Sequence, residues 1–388
     1  MADPLNPLDL IDINALLSDE ERQIRDLARE WVSDNILPNV EDWYERGEFP
    51  ARELAKELGQ LGFLGMQLPE IGGLGAVAYG LVELELEAGD SGLRSFVSVT
   101  SALAMFAIHA FGSAEQKAEW LPRLQSGEAI GCFGLTEPDS GSDPGSMRAF
   151  AKRDGDDWVL NGTKMWITNG SVSDVAIVWA NTDDGIRGFV VPCDAPGFSA
   201  PDIHKKLSLR ASVTSELVMD DVRLPAGAVL PEVTGLRGPL SCLNEARFGI
   251  IWGVMGAARA CFESALEYAK TRIQFDRPIG SFQLTQKKLA DMALELNKGT
   301  LLAYHLGRMK EQGRLRPQHV SIGKLNNTRV ALEIARTSRG IHGANGITLE
   351  YPIMRHMTNL ESVITYEGTE EIHTLVIGET LTGLRAYT

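Results

Sequence analysis

The spacing of apolar residues changes at the segment Gly131-Cys-Phe-Gly-Leu-Thr-Glu-Pro-Asp-Ser-Gly-Ser-Asp-Pro-Gly-Ser146. Before this segment apolar residues recur at helical spacing, and after it they form short runs that are separated by turn residues. The segment itself concentrates glycines, hydroxyl groups and exposed backbone amides, which suit the carbonyl-rich edge of a planar cofactor or a phosphate. An ordinary turn-rich connection has the same composition. The segment alone therefore leaves both interpretations open.

The region before this segment is predicted to be helical. Ser18 and Glu21 have the spacing of a capping box, which satisfies free amides at a helix start. Pro50 opens an amphipathic run over 51–62, and its leucines fall on one face. A further long helical stretch is expected over 79–87.

The region after the segment is predicted to form a small sheet or barrel. Asn161-Gly162 lies between two apolar runs, which predicts a hairpin turn at that pair. A second turn is expected over 183–187, between two more apolar runs.

Helical spacing returns near residue 243 and persists. Long helices are expected over 250–270, 283–312 and 319–342, and short loops between them favour a bundle. The order of helices, strands and helices predicts an α+β protein. We expect an N-terminal helical domain over 1–130, a central β-domain over 131–240 and a C-terminal four-helix domain over 241–388.

Composition excludes several classes of function. The 388 residues include 37 basic and 52 acidic side chains, a net charge of −15, which argues against nucleic acid or an anionic membrane as a partner. Apolar runs fall short of the roughly 18 residues that a membrane-spanning helix needs. The four cysteines show no CxxC pair, and neither a signal peptide nor a transit peptide is evident, so a reducing cytoplasm is expected. No zinc, P-loop or Rossmann motif is present, and no metal site is predicted.

A second unusual segment is Thr365-Tyr-Glu-Gly-Thr-Glu-Glu371. Gly368 interrupts a helical region directly after a carboxylate, and its backbone freedom could aim Glu367 into a cavity. From the residues alone, Glu367, Glu370 and Glu371 are equally explained as solvated acids at a helix start.

Several motifs along nearly the whole chain, in the same order, resemble the acyl-CoA dehydrogenases. They are the 134–143 run Gly-Leu-Thr-Glu-Pro-Asp-Ser-Gly-Ser-Asp, Trp166-Ile-Thr-Asn, Arg272-Ile-Gln-Phe-Asp-Arg-Pro-Ile, Gln286-Lys-Lys-Leu-Ala-Asp-Met and Thr365-Tyr-Glu-Gly-Thr. The resemblance implies the three domains given above, with FAD held between the last two domains and across a subunit interface of a homotetramer (a dimer of dimers). It further implies an acyl-CoA substrate and an electron-transfer flavoprotein as acceptor.

The resemblance assigns Glu367 as the catalytic base that removes the α-proton of the acyl thioester. It also implies a set of FAD contacts, in which Thr136 and Thr168 meet the ring edge and Arg272 meets the pyrophosphate from a neighbouring subunit. The FAD-binding residues it implies are Phe133, Leu135, Thr136, Gly141, Ser142, Trp166, Ile167, Thr168, Arg272, Phe275, Gln283, Gly340, His342, Gly343, Ala344, Thr369 and Glu371. Without the resemblance, Trp166 is equally explained as a core residue of a strand.

Within this family the chain is most similar to the glutaryl-CoA dehydrogenases. The features concerned are Asp90-Ser-Gly-Leu-Arg-Ser-Phe-Val-Ser98, Leu243-Asn-Glu-Ala-Arg-Phe-Gly-Ile-Ile-Trp-Gly253 and Tyr366 before the base. This similarity implies that Arg94 faces the distal carboxylate of the substrate, an assignment consistent with bidentate guanidinium–carboxylate pairing. The alternative for Arg94 is an ion pair with Asp90 one helical turn away.

The substrate-binding residues that the resemblance implies are Arg94, Ser95, Ser98, Glu87, Ser142, Leu243, Asn244, Arg247, Tyr366, Gly368 and Tyr387. The chain departs from its relatives at His342 and Ala344, in the loop on the adenine side, and at Phe96-Val97, which are bulkier than usual. The implied reaction is oxidative decarboxylation of glutaryl-CoA to crotonyl-CoA. The alternatives are a dehydrogenase of another dicarboxylyl, aryl-succinyl or short-chain thioester, an acyl-CoA oxidase, and a helical scaffold without activity.

Overall fold

The computed structural model describes residues 5–386, and the part before the strands is helical as predicted. The capping box is confirmed: the Glu21 amide donates to Ser18 Oγ at 3.2 Å, and the Ser18 amide donates to Glu21 Oε2 at 2.8 Å. The helices are α1 Asp19–Trp31, α2 Val40–Arg46, α3 Ala51–Gln60, α4 Ala76–Gly89, α5 Ser91–Ser98, α6 Phe106–Phe111 and α7 Ala114–Gln125.

A π-helical segment, Val99–Met105, joins α5 to α6 into one helical stretch over Ser91–Phe111. By length and composition this stretch could cross a membrane, so the expectation that no apolar run is long enough was wrong. The sequence pattern missed it because serines and Arg94 interrupt the apolar residues. Of its most apolar window, 94% is buried inside the protein, where it contributes to the core between the helices and the sheet.

The central strands form a seven-stranded sheet within the described residues. Its path is β1-β4-β2-β3-β7-β6, and β5 pairs with β4 beside this path. Pairing is antiparallel except between β4 and its neighbours β1 and β2. The strands are β1 Gly131–Gly134, β2 Phe150–Asp154, β3 Asp157–Thr168, β4 Val175–Thr182, β5 Gly185–Pro192, β6 Phe198–Ser199 and β7 Thr214–Leu224.

The predicted hairpin at Asn161-Gly162 is wrong, because both residues lie inside β3. The turn falls earlier, between Asp154 and Asp157, which pair across β2 and β3. Gly162 is needed for packing instead: a Cβ there would lie 2.6 Å from the Cβ of Ala149. The second predicted turn is confirmed only over 183–184, because residues 185–187 already belong to β5 and pair with β4.

The C-terminal part contains the long helices that the spacing predicts. A two-stranded hairpin, β8 Ile273–Gln274 and β9 Arg277–Pro278, separates the first two. The helices are α8 Arg237–Thr271, α9 Gln283–Glu311, α10 Pro317–His342, α11 Pro352–Val363 and α12 Glu370–Thr382. The predicted domain boundaries stay predictions, and α8 begins before the one placed after residue 240.

One apolar core joins the N-terminal helices to the C-terminal helices, and α4 packs directly against α8. Glycines of α8 permit this close approach: a Cβ at Gly256 would lie 1.8 Å from the carbonyl oxygen of Leu84. The predicted α+β class, with helical ends around a central sheet, is confirmed. This packing places α4, α5, α8 and the α11–α12 connection around one polar site.

Candidate active site

The connection between α11 and α12 holds Glu367 in an unusual backbone conformation. Glu367 has φ +53° and Gly368 has φ +92°, in the left-handed region that favours glycine. A non-glycine residue there costs about 1–3 kcal/mol unless its surroundings hold it. Arg247 Nε of α8 donates to the Glu367 carbonyl at 2.6 Å, and Lys324 Nζ of α10 donates to the carbonyls of Tyr366 at 2.6 Å and Gly368 at 2.7 Å.

The carboxyl of Glu367 is available for chemistry. Its Oε2 atom is buried and has no hydrogen-bond partner among the described residues. Loss of hydration raises the pKa of Glu367, while the positive charges of Arg94, Lys324 and Arg247 oppose the rise. Burial also lowers the pKa of the neighbouring Lys324 to about 7. A carboxyl with a raised pKa in a dry site is suited to accept a proton from a weakly acidic carbon.

Arg94 lies beside this carboxyl and is fully buried. Its Nε donates to Glu87 Oε2 of α4 at 2.7 Å, and its Nη2 donates to the Tyr366 hydroxyl. Ser91 Oγ donates to the other Glu87 oxygen at 2.9 Å. Nη1 of Arg94 has no hydrogen-bond partner within residues 5–386. One face of a buried guanidinium is therefore left to receive an acceptor.

The alternative pairing of Arg94 with Asp90 is wrong. Asp90 caps α5 by accepting from the Gly92 amide at 2.6 Å. Its other oxygen accepts from Arg355 at 2.5 Å and from Asn359 at 3.0 Å, both on α11. Asp90 is thus fully engaged in fixing the start of α5, and Arg94 turns toward α4 instead.

The remaining predicted substrate residues fall into two groups. Ser95 and Ser98 are buried on α5, and the hydroxyl of Ser98 has no partner in the described chain. On α8, Leu243 and Asn244 lie one turn before Arg247, whose Nη1 donates to Asn244 Oδ1 at 3.3 Å. Gly368 adjoins the base, Ser142 lies apart in the exposed loop after β1, and Tyr387 is outside the described residues.

The bulky pair on α5 points into the core. The Phe96 ring lies 5.3 Å from the ring of Phe49, centroid to centroid, and Val97 belongs to the same apolar cluster. Phe96 therefore packs against the segment between α2 and α3, and Val97 contributes to the core that joins the N-terminal and C-terminal helices.

One group of predicted FAD residues gathers where β1 and β3 end. Phe133, Leu135 and Ile167 are buried, and Gly141 and Ser142 are exposed in the loop after β1. The hydroxyls of Thr136 and Thr168 make no hydrogen bond within the part of the chain that the structure describes. They are free to meet the polar edge of a cofactor.

Trp166 belongs to the same group and is not a core residue. It has φ +62°, lies at an irregularity between β3 and β7, and is 59% exposed. The core alternative is therefore wrong. A large, planar, exposed ring beside two free hydroxyls fits an isoalloxazine ring, which would cover it.

Four other predicted FAD residues line a separate pocket of about 290 Å³. Arg272, His342, Gly343 and Ala344 line it. His342 stacks on Tyr268 with 4.3 Å between ring centroids, and its Nδ1 lies 2.9 Å from the Ser338 carbonyl oxygen. These contacts therefore hold the His342 ring in place in the wall of the pocket.

The last predicted FAD residues lie outside that pocket. Gly340 and Gln283 are exposed, and Phe275 is 88% exposed on the β8–β9 hairpin. Thr369 caps α12 by accepting from the Ile372 amide at 3.3 Å, and Glu371 is exposed in the first turn of that helix. The structure therefore brings most of the predicted FAD residues together as two groups, and these five residues belong to neither.

Sequence reasoning missed a buried ion pair that shapes the first FAD group. Lys164 Nζ of β3 donates to Glu137 Oε1 at 2.7 Å and to the Leu135 carbonyl at 3.0 Å. The other Glu137 oxygen accepts from the Arg148 amide at 2.6 Å. This pair fixes the loop that carries Thr136. The signal in the sequence that could have revealed this pair is a lysine in the middle of a strand pattern.

Two further carboxyl and amine groups were missed, Lys324 on α10 and Glu83 on α4. Both are fully buried, and apolar or small residues flank them in the sequence, Val82 and Leu84 beside Glu83 and Gly323 and Leu325 beside Lys324. An ionisable residue at a core position of the helical pattern was the signal for each. Within the described residues no cluster of three potential metal ligands occurs, and the four cysteines are free.

Three family models match the chain in order. They are the acyl-CoA dehydrogenase N-terminal domain over residues 18–128, the middle domain over 132–222 and the C-terminal domain over 234–382. The chain belongs to the acyl-CoA dehydrogenase family. A crystal structure of glutaryl-CoA dehydrogenase from Mycobacterium smegmatis is 66% identical, with a TM-score of 0.98, and the match covers 99% of this chain and 100% of that one.

Two further similarities bear on ligand and substrate. A glutaryl-CoA dehydrogenase structure from Mycobacterium smegmatis in complex with FADH2 is 60% identical, with a TM-score of 0.98, over 99% of this chain and 100% of that one. The human mitochondrial short-chain specific acyl-CoA dehydrogenase is 35% identical over 96% of this chain and 92% of its own length.

Proposed function

We propose that this protein uses FAD to oxidise glutaryl-CoA and decarboxylates the product to crotonyl-CoA and CO2. The observation that carries the proposal is the guanidinium of Arg94, fully buried beside Glu367 with one nitrogen unpartnered. A buried cation with a free donor favours a substrate that brings a carboxylate to it. The 66% identity with a glutaryl-CoA dehydrogenase supports the same substrate.

The reacting groups have separate tasks. Glu367 accepts the α-proton, because its carboxyl has a raised pKa and a free oxygen. Arg247 and Lys324 hold the backbone on either side of the carboxyl, so its position is set before the substrate arrives. Arg94 holds the distal carboxylate, which fixes the acyl chain at both ends.

Decarboxylation follows from the product of oxidation. Once a double bond lies between Cα and Cβ, the bond from Cγ to the carboxylate can break, and its electron pair delocalises onto the thioester. CO2 leaves, and a proton returned to Cγ completes crotonyl-CoA. Glu367 carries the proton it took from Cα, so no external acid is required.

The residues present fit FAD. Thr136 and Thr168 offer unused hydroxyls beside the exposed ring of Trp166, and Arg272 adds a cation to the 290 Å³ pocket that includes His342. When bound, FAD supplies the acceptor for the β-hydrogen and its electron pair. Because the two groups of residues form separate sites in one chain, we propose that two subunits complete each FAD site.

The assembly and the acceptor are part of the proposal. We propose a homotetramer, supported by exposed apolar side chains around the second group, such as Phe275 and Leu284, 88% and 78% exposed. We propose an electron-transfer flavoprotein as acceptor, on the basis of family membership, and a cytoplasmic location, supported by the free cysteines. Sedimentation analysis tests the tetramer, and oxygen consumption against flavoprotein reduction separates a dehydrogenase from an oxidase.

The substrate is tested by anaerobic flavin bleaching with a panel of acyl-CoAs. Glutaryl-CoA is expected to bleach the flavin at lower concentration than butyryl-CoA or succinyl-CoA. Preference for butyryl-CoA would overturn the assignment of Arg94 and support a short-chain dehydrogenase, in which the Arg94–Glu87 pair is a structural element.

A further inference from the structure

A second carboxyl of α4, that of Glu83, lies in the protein interior with the Tyr79 hydroxyl as its polar neighbour. Glu83 is 0% exposed, and among the described residues neither its oxygens nor the neighbouring Tyr79 hydroxyl makes a hydrogen bond of normal geometry. Gly249 of α8 makes room for both: a Cβ there would lie 2.7 Å from Tyr79 Oη and 3.4 Å from Glu83 Oε2. Buried polar groups are normally satisfied, so this pair requires an explanation.

The side chains of Glu83, Glu87 and Arg94 all lie against glycines of α8. Gly253, one turn after Gly249 on α8, faces them: a Cβ there would lie 2.2 Å from Glu87 Oε2 and 3.3 Å from Arg94 Cδ. The two carboxyls of α4 therefore lie side by side against one glycine stripe of α8, next to the guanidinium that we assign to the substrate.

The charged and titratable groups around Glu83 and Tyr79 lie on α4, α5, α8 and the α11–α12 connection. Those that act on Glu83 are Tyr79 and Glu87 of α4, Arg94 of α5 and Glu367 of the α11–α12 connection. Glu245 of α8 acts on Tyr79, Arg247 of α8 acts on Glu367, and Tyr366 interacts with Arg94. Both oxygens of Glu245 accept from Lys310 at 2.7 Å, so this carboxylate already has its own cation.

The number of carboxylates around Arg94 matters, because its guanidinium carries a single positive charge. Its positive charge is already matched by Glu87 at 2.7 Å, and a substrate carboxylate adds one further negative charge. Burial raises the pKa of Glu83 to about 8, and the attraction of Arg94 opposes the rise. Glu83 is therefore a neutral acid at pH 7, and its ionisation would place a third carboxylate around one guanidinium.

We propose that Glu83 is a specificity-determining residue. While the Glu83 carboxyl is neutral, Arg94 can receive the distal carboxylate of the substrate. When the Glu83 carboxyl is ionised, it competes for Arg94 and repels the substrate carboxylate. The inference rests on the proposed function, in which the substrate carries a second carboxylate. A chain without a distal charge is insensitive to this competition. Substrate preference therefore depends on the protonation of Glu83.

The test is the ratio of kcat/KM for glutaryl-CoA to that for butyryl-CoA, measured with the flavinated enzyme from pH 6.5 to 9.5. In the wild type the ratio is expected to fall about tenfold per pH unit above pH 8. Glu83→Gln, which keeps the shape and cannot ionise, is expected to give a ratio that does not change with pH. Glu245→Gln is the matched control and is expected to keep the wild-type fall.

Glu83→Met, a neutral variant of similar length, is expected to give the same flat ratio and replaces Glu83→Gln if that variant does not fold. A flat ratio in the wild type, or a wild-type fall retained in both neutral variants, would overturn the inference. If the wild type does not oxidise glutaryl-CoA at any pH, the proposed function itself fails. If it does but its preference is independent of pH, only the role of Glu83 fails.

Discussion

Replacing Arg94 by methionine removes a guanidinium that pairs with Glu87, donates to the Tyr366 hydroxyl and, in the proposed function, holds the substrate carboxylate. It deprives a substrate carboxylate of its cation, and it leaves the Glu87 carboxyl, also fully buried, with the Ser91 hydroxyl as its hydrogen-bond partner. Removing one member of a buried ion pair costs about 3–5 kcal/mol. For the substrate, that range corresponds to a loss of roughly two to nearly four orders of magnitude in kcat/KM, at about 1.4 kcal/mol per tenfold.

The assay compares glutaryl-CoA with butyryl-CoA in the wild type and in Arg94→Met. We expect kcat/KM for glutaryl-CoA to fall by that amount, with a much smaller change or a gain for butyryl-CoA. The double variant Glu87→Gln/Arg94→Met is the control, because it removes the orphaned carboxylate as well. Its glutaryl-CoA activity is expected to exceed that of the single variant, since the repulsion from Glu87 is gone. An equal effect on both thioesters would refute the pairing of Arg94 with the substrate.

Glu367→Gln is expected to bind FAD and CoA thioesters but to lose several orders of magnitude in turnover, whereas Glu370→Gln changes little; flavin reduction at a normal rate in Glu367→Gln would remove it as the base. Arg272→Ala is expected to lose at least tenfold in FAD affinity, about 1.5–3 kcal/mol, and to weaken the oligomer. Full flavin content at the wild-type assembly size would contradict that. Glu85, with its pKa lowered to about 2 by Arg259 and Arg29 despite burial, contributes about 3 kcal/mol that is present above pH 4.5 and lost as the pH falls toward 2. Urea titrations of Glu85→Gln should lack this dependence, and an unchanged pH profile would argue against it.

Periodicity in the sequence predicts the helices and the three-part order because those features are local. The long C-terminal helices repeat apolar residues at helical spacing, and Ser18 and Glu21 satisfy each other within one turn. The prediction of a hairpin at Asn161-Gly162 failed because the requirement for this glycine comes from a contact outside the pair. That glycine is required by the approach of Ala149 from a neighbouring strand, and no property of the pair itself reveals this.

The candidate site was predictable only where family motifs name its residues. Glu367 and Arg94 were found through the resemblance, but the partner of Arg94 depended on how α4, α5 and α8 pack. Spacing favoured Asp90, one turn away, yet Arg355 from α11 takes that carboxylate. Lys164, Lys324 and the other buried ionisable groups could be suspected from their positions in apolar patterns, although their partners lie far away in sequence.

In the proposed function the enzyme oxidises a thioester whose distal carboxylate is held by Arg94 and then releases that carboxylate as CO2. The most direct measurement is a turnover of glutaryl-CoA labelled with ¹³C in the distal carboxyl, with an electron-transfer flavoprotein or an artificial acceptor. One labelled CO2 and one crotonyl-CoA per acceptor reduced by two electrons is the predicted result. Accumulation of glutaconyl-CoA that retains the label, or no oxidation of glutaryl-CoA, would contradict the proposed oxidative decarboxylation.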